Sequence, residues 1–422
     1  MTTLEQVQLE CGSVVATFGV VSSFAFSVRK LASTFSTDPT EPLSAIELHA
    51  DFIQHCVDCG GIEAALAVFD TFSRAYGIAT SDIHVIIQAQ GLDEAAARRV
   101  LRGYFSAWPI ANGNGDLSAT RPASPIPALF STGSLGLMAM FGGQRGTGNY
   151  LDEAEWLLDV YRPLLLGFVS RMSAFLHRES QDKHICSVYS KGLDVLHWLT
   201  TANAMPDKQY LLSIPVCLPL VGLIQLMHVM VLYKTLGISP GDLVRRFKVA
   251  VGHSQGIGIA AAFSTLTDEQ SFYSVSERIL GIHLLAGAFP QIKFPCYKAL
   301  TTSTEDSKPR PMVSVQGIIK PVLEKLIAKF NSRQPSPTEH AFLAVVNTVD
   351  QFILASELSA AVKFVAFLRS ESADPDKDQS RIPYPKRKPV IAVQYTTITA
   401  PYHCPLLQSA ADEANAMAVE RG

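Results

Sequence analysis

The stretch that decides the fold is KVAVGHSQG, residues 248–256, which is followed by a run of small apolar residues over 257–263. A short apolar segment ending in glycine is typical of a buried parallel strand, and the residues after it favour a helix. A Gly-x-Ser-x-Gly turn between strand and helix exposes its serine, and the glycines leave room for the crossing backbone. The pattern predicts an α/β fold with Ser254 as a nucleophile; the alternative is a structural turn with an unreactive serine.

Another apolar segment, residues 137–141, ends in Gly142-Gly143 and is a second predicted strand of the same kind. A serine nucleophile needs backbone N–H groups that stabilise a developing oxyanion. Gln255, directly after the serine, is placed to supply one of them. The loop that carries Gln144 is the candidate for the second; the alternative is a simple tight turn.

The catalytic base must come from a chain that contains 11 histidines. His403 lies in a loop after the last predicted strand, where functional residues are often placed. His253 adjoins the serine and is predicted to shape the site. His228 and His197 lie in apolar helical runs and are predicted to be core residues. Taken by themselves, these positions do not decide the matter.

The chain divides into three predicted regions. Residues 1–120 are mostly helical after an opening strand at 13–20, and residues 112–127 form a linker rich in Gly, Ser and Pro. Residues 128–310 and 382–422 form the α/β core, with a final strand at 390–393. Residues 311–381 have a β-α-β-β-α order, which predicts a small ferredoxin-like insert and a connecting segment.

Composition excludes several classes of protein. A net charge of −3 and the lack of a basic stripe argue against nucleic-acid binding. Seven scattered cysteines suit a reducing, cytoplasmic location, and Cys56 and Cys59 lack a second pair for a metal site. The N-terminus has no signal-peptide pattern. Prolines interrupt the apolar run at 214–233, so a buried helix is expected there and no membrane partner.

Several further stretches accompany the serine motif in a fixed order along almost the whole chain, from near Gly12 to about Leu407. They are FGGQ (141–144), GLDVLHW (192–198), PDKQYLLSIP (206–215), GLIQLMH (222–228), GHSQG (252–256), DQSRIP (378–383) and PYH (401–403). Together they resemble the acyltransferase (acetyl-loading) domain of the fungal fatty acid synthase beta subunit. Starter-unit acyltransferase domains of fungal polyketide synthases are near relatives, although these usually carry cysteine as the nucleophile.

The resemblance implies an α/β-hydrolase-like core with a ferredoxin-like insert and no bound cofactor or metal. It implies ping-pong acyl transfer from acyl-coenzyme A to the phosphopantetheine of an acyl carrier protein. Ser254 would be acylated, and His403 would be general base and then general acid. The N–H groups of Gln144 and Gln255 would hold the oxyanion, and Asn347 would lie beside the site. A fatty acid synthase alpha subunit or a polyketide synthase would be a further partner.

The acyl group is predicted from one position. Relatives that accept malonyl groups place an arginine on the helix after the elbow, because its planar cation suits a carboxylate. Here that position is Ala286, followed by Gly287, and Arg278 lies two turns earlier. An uncharged acyl group is therefore expected, and the small alanine leaves room for a medium-length chain.

The sequence departs from the family pattern at two places. Arg145 replaces a glycine after FGGQ, where a positive φ would strain an arginine. The chain stops at Gly422, whereas the family domain continues beyond this point, so a C-terminal truncation is expected. These departures leave an alternative function: an inactive relative of the beta subunit that serves as a binding or assembly module.

Overall fold

The structure of the protein is a computed structural model. It describes residues 4–11, 14–37, 43–78, 81–111, 136–144, 150–295, 309–374, 376, 378–383 and 386–420. The predicted linker at 112–127 and Arg145 lie outside the described residues. The chain forms two compact units. The first unit comprises Met1–Phe141, Leu151–Met172 and Ile224–Ser276, and the second comprises Gly142–Tyr150, Ser173–Leu223 and Glu277–Gly422.

The first unit begins with an antiparallel strand pair and a group of helices. The elements are β1 (Leu4–Cys11), β2 (Val14–Val21), α1 (Ser22–Ala32), α2 (Ala45–Asp58), α3 (Ile62–Ala75), α4 (Ile83–Gln90) and α5 (Glu94–Ala111). Strand β2 confirms the predicted opening strand, but β1 was missed. Its buried Val7, Leu9 and Cys11 alternate with exposed polar residues, and this period-two pattern is typical of a strand with one buried face.

Helices α2 and α5 approach each other closely at Gly103. A Cβ atom on Gly103 would lie 2.2 Å from the carbonyl oxygen of Ala50. Any side chain at this position would therefore force the two backbones apart, and the helix pair depends on glycine there.

The rest of the first unit includes two parallel strands. The sequence predicts that both are buried, but the structure leaves about half of their residues exposed, among them Met140 and Val249. The elements that it includes in whole or in part are β3 (Leu137–Phe141), α6 (Tyr150–Val160), α7 (Arg162–Ser180), α10 (Ile214–Leu236), α11 (Pro240–Arg246), β4 (Phe247–Gly252), α12 (Gly256–Ser264) and α13 (Glu269–Lys293). Strand β3 pairs in parallel with β4, as predicted. The rings of Phe168, Tyr233 and Phe272 lie together in the core. The ring centroid of Phe272 is 5.1 Å from that of Phe168 and 5.5 Å from that of Tyr233.

The second unit includes short helices and a four-stranded sheet. Its further elements are α8 (Val195–Thr200), α9 (Lys208–Leu212), β5 (Met312–Gln316), α14 (Lys320–Asn331), β6 (Phe342–Val346), β7 (Gln351–Ala355), α15 (Leu358–Glu371), β8 (Ala392–Tyr395) and α16 (Gln408–Glu420), with short 3₁₀ helices at Cys186–Val188, Pro337–Glu339 and Pro405–Leu407.

Strands β5 to β8 form one antiparallel sheet in the order β6-β7-β5-β8. The elements from β5 to α15 follow the predicted β-α-β-β-α order. One placement was wrong: the strand predicted at 390–393 was assigned to the core segment 382–422, whereas β8 pairs with β5 as an edge strand of this sheet. An apolar run shows that a strand is half-buried but does not show which sheet it joins. Phe352, Phe364 and Leu368 are buried in the core of this sheet and its helices.

Helix α10 is long and apolar enough to span a membrane by length and composition alone, with a mean hydropathy of 2.1 over its most apolar window. Within that window, 83% of the residues are buried inside the protein. The predicted buried helix over 214–233 is therefore confirmed.

Candidate functional site

Ser254 lies on the turn between β4 and α12. His253 donates its backbone N–H to the carbonyl oxygen of Phe141 on β3 at 2.9 Å, which fixes the start of the turn to the neighbouring strand. The N–H of Ile257 donates to the carbonyl oxygen of Ser254 at 3.0 Å and begins the helix. Strand, tight turn and helix thus follow one another as the sequence predicted, and Ser254 is half-buried.

The backbone of Ser254 is in the left-handed region, with φ = 52°. Among the described residues other than glycine, positive φ occurs only at Asn203, Ser254 and His403. This conformation costs a residue other than glycine about 1–2 kcal/mol and persists only where the surrounding structure fixes it. Two of these three residues are the nucleophile and base predicted from the sequence.

Gly252 is required by the geometry of the turn. A Cβ atom there would lie 2.2 Å from the carbonyl oxygen of Gly256 and 2.3 Å from the backbone nitrogen of Ile257. Both atoms belong to the backbone and cannot move by changing rotamer. The first glycine of the motif therefore allows the first turn of α12 to fold back against the end of β4.

Gln255 stands at the N-terminus of α12, in helical backbone with φ = −57° and ψ = −29°. Backbone N–H groups at this end of a helix lack intrahelical partners, and the helix dipole favours negative charge there. Within the described part of the chain, both polar atoms of the Gln255 side-chain amide are buried without a hydrogen-bond partner. Such groups destabilise the fold unless a ligand or ordered water satisfies them.

Gln144 follows β3 and belongs to the second unit. Its side chain has the same property as that of Gln255, because Nε2 is buried and has no partner among the described residues. The oxyanion role of either glutamine stays a prediction.

His403 lies in the second unit, in the loop between β8 and the 3₁₀ helix at Pro405–Leu407, and it is exposed. Its φ is 58°. The hydroxyl of the preceding residue, Tyr402, donates a hydrogen bond to the carbonyl oxygen of Ala286 at 2.6 Å. Burial raises the pKa of this hydroxyl well above its usual range, so Tyr402 remains a donor throughout the working pH range.

Ala286 lines an apolar cavity of about 290 Å³ in the second unit. The other lining residues are Ile282, Leu285, Pro290, Tyr402, Leu407, Ala410, Ala411, Ala414, Asn415 and Ala418. None of these residues carries a charge, and the volume is near the lower end for small-molecule pockets, about 300 Å³. The structure therefore brings together the predicted acyl-selecting residue and the residue directly before His403.

Gly287 and Asn347 occupy different surroundings. Gly287 is buried, and a Cβ atom there would lie 2.8 Å from the Cα of Pro215, so this glycine permits close packing of α10 against α13. Asn347 is exposed in the turn between β6 and β7, where its N–H donates to the carbonyl oxygen of Gln351 at 3.0 Å. Their predicted roles in substrate binding stay predictions.

The rival histidines differ from expectation. His228 and His197 were predicted to be core residues, but both are exposed. His228 lies 2.8 Å from Glu153 and His197 lies 3.1 Å from Thr201. Each projects from the solvent side of a mostly apolar helix, and the apolar composition alone does not reveal which side faces solvent. His253 is also exposed.

Two contacts in the second unit were missed from the sequence, one at Tyr402 and one at Thr399. Tyr402 directly precedes His403 in the quoted PYH stretch, and this adjacency could have marked Tyr402 as a neighbour of the predicted base. The hydroxyl of Thr399 donates to the side-chain oxygen of Gln291 at 2.5 Å, and no sequence signal connects residues so far apart. Among the described residues, no group of three or more His, Cys, Asp or Glu side chains could hold a metal ion.

Comparison with known proteins gives the family context. The chain is 34% identical to the fatty acid synthase subunit beta of Schizosaccharomyces pombe over 342 residues, which is 80% of this chain and 16% of that protein. It is 29% identical to the fatty acid synthase beta subunit pigK of Monascus ruber over 401 residues, 91% of this chain and 19% of the relative. With the beta subunit aflB of Emericella nidulans it shares 30% identity over 337 residues, 78% of this chain and 15% of the relative. The chain thus spans less than a fifth of the length of these relatives.

Among solved structures, FabD from Acinetobacter baumannii is 15% identical, with a TM-score of 0.40 over 67% of each chain. A similarity of this size supports no argument about fold or function. The family model described as "Starter unit:ACP transacylase in aflatoxin biosynthesis" matches residues 139–389, more than half of the chain. The match includes the last three residues of β3, the elbow with Ser254, and β5 to α15. The chain therefore belongs to the starter unit:ACP transacylase family.

Proposed function

We propose that this chain is an acyltransferase that moves an uncharged starter acyl group from coenzyme A to the phosphopantetheine thiol of an acyl carrier protein, through an acyl-Ser254 intermediate. The observation that carries the proposal is the elbow: Ser254 is held at φ = 52° between β4 and the N-terminus of α12. Such backbone strain is found where a side chain must be presented to a reacting group. Membership in the starter unit:ACP transacylase family supports the same reaction.

The proposed reaction has two half-reactions. Oγ of Ser254 attacks the thioester carbonyl carbon, His403 accepts the hydroxyl proton, and the C–S bond breaks so that coenzyme A leaves and takes that proton as a thiol. The thiol of the carrier protein then loses its proton to His403 and attacks the ester, and Ser254 recovers the proton as it leaves. The backbone N–H groups of Gln144 and Gln255 stabilise the oxyanion of each tetrahedral intermediate.

The acyl group is uncharged on this proposal. The cavity beside Ala286 has no charged lining residue, and a carboxylate placed there would lose its hydration without gaining a cation. The alanine leaves space for an acyl chain longer than acetyl. The proposed fold is an α/β-hydrolase-like core with β5 to β8 as a ferredoxin-like subdomain. The proposed location is the cytoplasm, with a fatty acid synthase alpha subunit or polyketide synthase as a further partner, and no bound cofactor.

The proposal is tested by single-turnover transfer of acetyl and hexanoyl groups from coenzyme A to a holo acyl carrier protein. The wild type should transfer both, Ser254→Ala should transfer neither, and His403→Ala should be slower by about 10²–10⁴-fold, the usual contribution of general base catalysis. If the wild-type protein fails to transfer any acyl group at excess donor, the proposal fails, and the alternative role as a binding or assembly module is favoured.

Replacing Ala286 tests the substrate class. Ala286→Arg should lower hexanoyl loading at least tenfold and raise malonyl loading, because a guanidinium pairs with a carboxylate through two hydrogen bonds. Ala286→Leu is the matched control, since it adds bulk without charge and should lower hexanoyl loading without any gain for malonyl. Malonyl as the best donor of the wild type would contradict the assignment.

A further inference from the structure

The loop at residues 396–404 carries His403 between β8 and the last 3₁₀ helix. Left-handed backbone is uncommon outside glycine, although histidine tolerates it better than most residues. A conformation of this kind persists when neighbouring contacts fix it. Two hydrogen bonds join this loop to α13, a buried one at Thr399 and a partly buried one at Tyr402.

Thr399 provides the first bond. Thr399 and Gln291 are almost completely buried, at 3% and 1% exposure. The Thr399 hydroxyl donates to Oε1 of Gln291 at 2.5 Å and accepts the N–H of Ile214, the first residue of α10, at 3.2 Å. Nε2 of Gln291 in turn donates to the carbonyl oxygen of Phe294 at 2.6 Å, so the amide can face Thr399 only with its oxygen.

Tyr402 provides the second bond, directly before His403. Its hydroxyl donates to the carbonyl oxygen of Ala286 at 2.6 Å, five residues before Gln291 on the same helix. That helix is itself held in place, because the Tyr189 hydroxyl lies 2.9 Å from the carbonyl oxygen of Leu284 and 3.2 Å from that of Pro215. The two bonds therefore tie the loop to a fixed support on α13.

We propose that Thr399 and Tyr402 are positioning residues that hold His403 in its left-handed backbone, in the place where it serves as general base. The inference rests on the proposed function, since it assigns to both residues an effect that acts through His403. Neither residue touches the reacting atoms on this account.

The first test is a double-mutant cycle on the rate of Ser254 acylation by hexanoyl-coenzyme A. Tyr402→Phe removes one hydrogen bond and Thr399→Val removes two, those to Gln291 and from Ile214. Each variant should slow acylation by about 10–100-fold, the range expected when a catalytic group shifts by about 1 Å. Thr399→Ser keeps the hydroxyl and should stay within about twofold of the wild type. In a His403→Ala background, Tyr402→Phe should cost nothing further, because the group that it positions is gone.

Tyr210→Phe is the matched control. The Tyr210 hydroxyl donates to the carbonyl oxygen of Gly192 at 2.7 Å, a bond of the same kind outside the His403 loop. It should leave the acylation rate unchanged. An equal loss for Tyr402→Phe with and without His403, or a Tyr402→Phe rate equal to that of Tyr210→Phe, would overturn the inference.

Amide hydrogen exchange over residues 402–404 supplies a second measurement, which does not depend on turnover. Exchange should be at least about tenfold faster in Tyr402→Phe and Thr399→Val than in Tyr210→Phe, since the loop opens more often once an anchor is lost. Unchanged exchange would refute the positioning role even in an active enzyme. A wild type that is never acylated while exchange responds as expected would instead refute the proposed function and leave the anchoring of this loop supported.

Discussion

Replacing Ser254 by alanine and by glycine separates the strain of the elbow from the loss of the hydroxyl. Both variants remove Oγ, and only glycine relieves the left-handed backbone at φ = 52°. That conformation costs a residue with a Cβ about 1–2 kcal/mol. Glycine loses more backbone entropy than alanine when the chain folds, which costs about 0.5–1 kcal/mol. Ser254→Gly should therefore be more stable than Ser254→Ala by about 0.5–1 kcal/mol.

Ser274 provides the matched control. It is exposed on α13, where backbone φ is helical, so the order of the two substitutions should reverse. Glycine in a helix interior is about 1 kcal/mol less stable than alanine. The assay is urea unfolding of the four variants. Their free energies of unfolding are compared where the dependence of that free energy on urea concentration is the same. If Ser254→Gly has a lower free energy of unfolding than Ser254→Ala, which is the order expected at Ser274, then the backbone of Ser254 is not strained and the elbow geometry is wrong.

Gly252→Ala should destabilise the protein by about 3 kcal/mol or more, because its Cβ would lie 2.2–2.3 Å from the backbone of the first turn of α12. Gly167→Ala on α7 is the control, since its Cβ would meet no atom within 4 Å and the variant should be neutral or more stable by up to about 1 kcal/mol. Urea unfolding of both variants checks this, and equal effects would contradict it. Burial lowers the pKa of His49 from 6.5 to about 4, so the unfolded state binds the proton first, and stability present above pH 6.5 is lost as the pH falls towards 4. This pKa shift contributes at most about 3 kcal/mol to the free energy of unfolding. His49→Gln should therefore flatten the plot of unfolding free energy against pH between pH 6.5 and 4. An unchanged slope of that plot in the variant would contradict the prediction.

The parts of the fold that depend on local pattern were predictable from the sequence. Strand β4, the glycine turn and the small-residue helix α12 follow one another without a gap, so Ser254 could be placed correctly from the motif alone. The alternating pattern of β1 was present in the sequence, but the segment is not a continuous apolar run, because Gln6, Gln8 and Glu10 alternate with its buried residues. Counting alternation over residues 4–11 finds it.

Other features depend on contacts between distant segments. Strand β8 joins β5 across about 80 residues, and its apolar run fits either sheet. The bonds from Thr399 to Gln291 and from Tyr402 to Ala286 span more than 100 residues each. The exposure of His228 depends on which side of α10 packs into the core, and its neighbour Glu153 lies on another helix. These relations follow from tertiary packing and leave no local pattern.

Identifying the residue that becomes acylated tests most directly whether Ser254 is the nucleophile. The protein is incubated with excess hexanoyl-coenzyme A, denatured in acid, digested, and analysed by peptide mass spectrometry. One hexanoyl group is expected, on the peptide that contains Ser254, and none on any peptide of Ser254→Ala. Unmodified Ser254 in the wild type, or a label that moves to Cys404 or persists in Ser254→Ala, would contradict it.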